Sequence, residues 1–149
     1  MMNNNVNISY ATAGAGDEGV IRDLLKVFRG DESNFDISKF VIAKDGEKII
    51  GCIRIKVIGD DCLELSSLGV LSEYRGQGIG SRLAEEVLAR EKRRPVFLLT
   101  SDDKETFYKN FGFAIVAPES LPQLFKKEYD RVVSLPFAKN IKVIAMSIA

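Results

Sequence analysis

There is no histidine among these 149 residues. Its absence removes histidine-based triads and the usual zinc and iron sites together, so any proton transfer has to use Glu, Asp, Tyr, Lys, Cys or water. Net charge is absent too: 21 Lys and Arg balance 21 Asp and Glu. Without a global field, neither nucleic acid nor an acidic membrane surface is recruited. No apolar run approaches the roughly 20 residues that span a bilayer, and the opening MMNNNVNISY lacks the charged and apolar regions of a secretory signal. A cytoplasmic protein is expected, with no metal, no nucleic-acid partner and no membrane contact. Cysteine is scarce. The hairpin described below sets Cys52 opposite roughly residue 67, away from Cys62, so both read as reduced, small apolar side chains.

What is present is an ordinary globular balance, 46% apolar and 28% charged residues, in a chain the size of one domain. VNISYATA reads as a first strand, and Asp17 as an N-cap for EGVIRDLLKVFRG, where Val20, Leu24, Val27 and Phe28 recur at helical spacing. FVIAKDGEKIIGCIRIKVI holds an Asp-Gly pair between two apolar runs, a hairpin signal. A second turn at residues 59–61 returns the chain as CLELSSLGVL, which leads into a glycine turn. Ile79, Leu83, Val87 and Leu88 then form a helical stripe that ends before Pro95. VFLLT is a short strand buried on both faces. Asp102 and Glu105 make a capping-box pattern before a helix that Gly112 ends. FAIV is a strand, ESLPQLFKKEYDRV is helical over part of its length, and IKVIAMSIA closes the sheet. The alternation predicts one mixed α/β domain over residues 1–149.

Two glycine stretches compete for a phosphate. AGAGDEG, residues 13–19, spells the dinucleotide fingerprint with Gly14, Gly16 and Gly19. Asp17 and Glu18 would repel a pyrophosphate from that helix start, and a hairpin follows where a dinucleotide fold needs a parallel strand. EYRGQGIGSRL, residues 73–83, has Arg75, Gln77, Ser81 and Arg82 around Gly76, Gly78 and Gly80, with no acid after Glu73. Successive backbone N–H groups there could point at phosphate oxygens with a helix dipole behind them.

In context, LGVLSEYRGQGIGSRLAEEVL resembles the central motif of the GNAT N-acetyltransferases, with Arg75, Gly78 and Gly80 at its fixed positions. FYKNFGF resembles the second GNAT signature, an aromatic-Tyr pair leading to Gly-Phe. The resemblance implies the GNAT fold, a central mixed and mostly antiparallel sheet of six to seven strands with helices on both faces. It implies an enzyme whose acetyl donor is acetyl-CoA. The pyrophosphate would lie on Arg75, Gly76, Gln77, Gly78, Ile79, Gly80 and Ser81, and the pantetheine arm along Leu68, Gly69 and Val70. Ser101 stands about where many members use an Asn to bond the pantetheine. Tyr108 matches the general acid, the Val70 N–H the oxyanion donor, and Glu64 the Glu that deprotonates the amine in histone-acetylating members. Glu64 is expected on one strand face with Ser66, Leu68 and Val70. Phe107 and Phe111 are expected to face the core with Tyr108 turned to an open cleft, where Lys104 would make its phenol more acidic.

Over roughly the last 110 residues the chain also resembles the acetyltransferase domains of N-acetylglutamate synthases, although Tyr108 replaces the Phe common there. The expected acceptor is therefore a small-molecule amine such as an amino acid, whose carboxylate Arg22, Arg29, Lys39 or Arg54 could bind. Protein or peptide acetylation and non-catalytic acyl-CoA binding are the alternatives. A homodimer through the C-terminal strand is a family habit.

Overall fold

The computed structural model describes residues 7–60 and 62–149, so the leading MMNNN, Val6 and Asp61 of the expected turn lie outside the described residues. Along the chain run β1 (Ile8–Thr12), α1 (Glu18–Phe28), β2 (Phe40–Asp45), β3 (Lys48–Gly59), β4 (Cys62–Val70) and α2 (Ile79–Arg90). They are followed by β5 (Val96–Ser101), α3 (Glu105–Lys109), β6 (Ala114–Val116), α4 (Gln123–Val133) and β7 (Val143–Ile148). The seven strands form one sheet in the order β1-β2-β3-β4-β5-β7-β6. The β4–β5 step is parallel, whereas β1–β2, β2–β3, β5–β7 and β6–β7 are antiparallel. This is the mixed, mostly antiparallel architecture that the family resemblance implies, with a short 3-10 turn at Ile37–Lys39 before β2.

The chain divides into two compact units. The first contains residues up to Lys56 together with Ser66–Lys92, the second Val57–Leu65 together with Arg93–Ala149. In the first, the β2–β3 hairpin closes around Gly46, whose φ of +60 lies in the left-handed region that glycine enters without cost. Adjacent β3 residues point to opposite faces. Cys52 joins the cluster of Ile21, Leu24, Leu25, Phe40 and Ile42 under α1, while a Cβ on Gly51 would meet Leu83 of α2 at 3.2 Å. Helices thus cover both faces of these strands. The α2 stripe is the expected one, with Ile79, Leu83, Ala84, Val87 and Leu88 buried. The α1 stripe is rotated from expectation: Ile21, Leu24 and Leu25 are buried, whereas Val20 and Val27 are exposed. Ile21, Leu24, Leu25 and the half-buried Phe28 are spaced i, i+3, i+4, i+7, a better single stripe than one that includes Val20 and Val27.

In the second unit, β5 is flanked by β4 and β7, which explains its unbroken apolar start at Val96, Phe97 and Leu98. The Phe97 and Phe125 rings stack at 5.1 Å between centroids and anchor a cluster with Cys62, Leu121 and Ala145. Gly112, at φ +102, ends the α3 segment as expected. The Asp102–Glu105 capping box does not form. The α3 N-cap position falls on Lys104 with no side-chain cap, and Asp103 instead accepts a hydrogen bond from the Ser101 hydroxyl.

Candidate active site

A short 3-10 turn at Ser72–Tyr74 follows β4, after which Gly76 and Gly78 both take φ of +80 before α2 begins. An L side chain in that region costs about 1 kcal/mol or more. A Cβ on either glycine would project into open space, with no atom within 4 Å. Backbone conformation, not crowding inside the chain, therefore calls for these glycines, and they leave the approach to the neighbouring N–H groups unobstructed. The first turn of α2 carries no acid, so its orphan N–H groups and dipole favour an anion. The Ile79 side chain enters the core, while Gln77, Gly80 and Ser81 are half-buried at the mouth of the helix. Arg75 Nε donates to the Val70 carbonyl at 3.0 Å, and the Tyr74 hydroxyl donates to Asp45 at 2.6 Å, which tie the turn to β4 and to the hairpin.

The look-alike at residues 13–19 is built differently. None of Gly14, Gly16 and Gly19 has a left-handed φ or a crowded Cβ position. The Gly14 N–H is bound at 2.9 Å by Asp17. The carboxylate thus occupies the place an incoming anion would need.

The last turn of β4 is shaped by close packing. A Cβ on Gly69 would lie 2.1 Å from the Phe28 ring, so only glycine lets α1 approach this strand. Two residues earlier, Ser67 has φ of +63. Its hydroxyl is 3.2 Å from that of Ser66, a closeness that consecutive residues of a regular strand, pointing to opposite faces, do not reach. The expected alternation that set Glu64, Ser66, Leu68 and Val70 on one face is therefore broken at Ser67.

In the second unit Glu64 is buried on β4, in register with Phe97 of β5. The pairing of these two strands consists of Leu63↔Val96 and Glu64↔Phe97, and β4 continues to Val70 beyond it. Ser101 spends its hydroxyl on Asp103, which leaves less for a pantetheine contact. Tyr108 is half-buried rather than turned to an open cleft. Its ring meets Phe107 edge-on at 4.9 Å and Phe113 at 6.1 Å. Burial pushes the phenol up to about 12, opposite to the lowering expected from Lys104.

Of the cations considered for an acceptor carboxylate, Arg22 pairs with Glu18 at 2.9 Å and covers the Phe35 ring. Arg29 takes a left-handed conformation at the end of α1. Lys39 lines an open cavity of about 250 Å³ with Arg90 and Glu91. Arg54 is a correction: it is 0% exposed and structural. It donates to Ser67 Oγ at 3.0 Å and to the carbonyls of Asn34 at 3.1 Å and Asp31 at 2.8 Å. Lys56, also buried, hydrogen-bonds Asp31 and Ser33. Burial alone would raise the Asp31 carboxyl, but hydrogen bonds from Lys56 and Ser33 hold it at about 2. Sequence reasoning missed this network. Its signal was two cations two residues apart inside the apolar run of β3.

A left-handed glycine turn opening an acid-free helix is a backbone site suited to an anion. The profile of the acetyltransferase (GNAT) domain family matches residues 36–115. An uncharacterized N-acetyltransferase of Chlorobaculum tepidum is 36% identical over 120 residues, covering 78% of this chain and 73% of that protein. The chain therefore belongs to the GNAT acetyltransferase family, the class of acetyl-CoA-dependent N-acetyltransferases. Its fold is also that of N-acetylglutamate synthase from Neisseria gonorrhoeae, solved with coenzyme A and N-acetyl-glutamate (TM-score 0.71, 22% identity, 95% of this chain). This chain spans 35% of the synthase's length. Arabidopsis thaliana Naa50, solved with the bisubstrate analogue CoA-Ac-MVNAL, matches at TM-score 0.65 and 19% identity over 97% of this chain and 99% of its own. The turn at residues 75–81 leaves room for the pyrophosphate of the donor, since nothing lies within 4 Å of a Cβ at Gly76 or Gly78.

Proposed function

We propose that this chain transfers an acetyl group from acetyl-CoA to the primary amine of a small molecule, with an amino acid as the favoured class. The observation that carries the donor half is the pair of left-handed glycines opening the acid-free α2. In this reading Arg75 to Ser81 hold the pyrophosphate, and Leu68, Gly69 and Val70 lend backbone groups to the pantetheine arm. The likeness to a synthase solved with N-acetyl-glutamate supports the amino-acid class.

Acetyl-CoA supplies an acyl carbon activated as a thioester. Glu64 accepts a proton from the amine, the amine nitrogen bonds to the acyl carbon, the carbon–sulfur bond breaks, and Tyr108 supplies the proton of the departing thiol. The Val70 N–H donates to the charge that develops on the acyl oxygen. A phenol near 12 stays protonated throughout the working pH range, so the acid is always loaded. It is also a weaker acid than a free tyrosine. Tyr108 therefore hydrogen-bonds to sulfur as negative charge grows there before its proton moves, and the proton taken up by Glu64 replaces it through solvent.

Peptide acetylation is the second reading, supported by the likeness to Naa50. Release of CoA measured over amino acids, polyamines and N-terminal peptides tests both. Turnover on amino acids supports the first, and turnover confined to peptides the second. Tight acetyl-CoA binding with no turnover on any acceptor would overturn both in favour of a binding module.

A further inference from the structure

We infer that Arg54 is a positioning residue for the donor strand: its buried guanidinium clamps Ser67 in a left-handed backbone conformation and so sets the direction of the Leu68–Val70 peptide groups. The inference rests on the proposal that those peptide groups hold the pantetheine arm.

Four observations converge on Ser67. Its φ of +63 is a conformation that glycine adopts freely and serine only under constraint. The constraint comes from three sides. Arg54 Nε donates to Ser67 Oγ at 3.0 Å, Ser67 Oγ donates to the Asp31 carbonyl at 3.1 Å, and the Cys52 thiol lies 3.5 Å from the Ser67 carbonyl. The other arms of the guanidinium reach the carbonyls of Asp31 and Asn34, so the segment after α1 is held by the same side chain. Two residues past Ser67, Gly69 packs under Phe28 and Val70 accepts from Arg75. A rotation at Ser67 would therefore turn the next peptide groups while their far end stays tied to the glycine turn. Arg suits this post better than Lys, since only a rigid fork reaches a hydroxyl and two carbonyls from one buried position.

The test compares Arg54→Met, Ser67→Gly and the double variant. Two readouts are taken: the backbone amide chemical shifts of Leu68, Gly69 and Val70, and the Kd for acetyl-CoA by calorimetry. In Arg54→Met the three amides should shift and Kd should rise at least fivefold. In the double variant both should move back towards wild type, because glycine holds φ near +63 without the clamp. Loss of packing alone would not be repaired by Ser67→Gly. Unmoved amides in Arg54→Met, or amides that Ser67→Gly fails to return, would overturn the inference. Amides that move and return while Kd stays constant would leave the clamp standing and overturn the donor-strand assignment instead. Should Arg54→Met not fold, Arg54→Lys carries the same two readouts, with and without Ser67→Gly.

Discussion

Tyr108 is a tyrosine whose surroundings work against ionisation. Its ring meets Phe107 and Phe113, and burial moves its phenol to about 12. Tyr108→Phe should lower kcat by about 100-fold or more with little change in acetyl-CoA affinity, measured by steady-state kinetics beside calorimetry. The wild-type rate should show no fall between pH 8 and pH 10 that Tyr108→Phe removes, since a phenol near 12 is still protonated there. Asp31 gives a prediction of opposite kind. Its folded value of about 2 lies below the ordinary 3.8, so its contribution to stability is fully present above pH 4 and is lost as pH falls through 2. The difference is worth about 2 kcal/mol. Asp31→Asn should therefore lower Tm at pH 7, and the gap to wild type should close as pH falls to 2.

At the scale of elements, Gly69 of β4 and Gly78 before α2 differ in what a side chain would meet, one crowded and one open. Gly69→Ala would drive a methyl group into the Phe28 ring and should destabilise the fold by about 1–3 kcal/mol in denaturant unfolding. Trimming the ring in Gly69→Ala, Phe28→Ala should recover part of that loss relative to Phe28→Ala alone. Gly78→Ala meets no atom, so its folding penalty is only that of the left-handed backbone, about 1 kcal/mol. On the proposed pyrophosphate role of this turn, its acetyl-CoA Kd should nonetheless rise at least tenfold, because the left-handed backbone that glycine supplies is strained by the new side chain. Unchanged affinity would remove the phosphate role of the turn. These contacts also show where sequence reading reached. The succession of strands and helices along the chain, the α2 stripe and the glycine turn were legible because period, turn chemistry and charge act over a few neighbouring residues. The α1 stripe was misread at two positions, Val20 for Ile21 and Val27 for Leu25, because Val20 and Val27 are as apolar as the residues beside them. Nothing local says which of two overlapping faces meets the sheet.

For the whole molecule, we propose that residues 1–149 form a single domain, as the chain length implies. It predicts one cooperative calorimetric transition with equal calorimetric and van't Hoff enthalpies; two separable transitions would contradict it. The left-handed turn between Arg75 and Ser81 was readable from a contiguous stretch, whose residues need only their own backbone to form it. Glycine content, helix start and absence of acid all sit in one short stretch. The fate of Arg54 was not readable that way. In sequence it was one of four cations that could face a carboxylate. In the fold, bonds to Asp31, Asn34 and Ser67, up to 23 residues away, bury it and turn it into a clamp. Short-range patterns write secondary structure and motif. Whether a charge meets solvent or an internal partner depends on residues brought together from far along the chain, and that depends on tertiary packing.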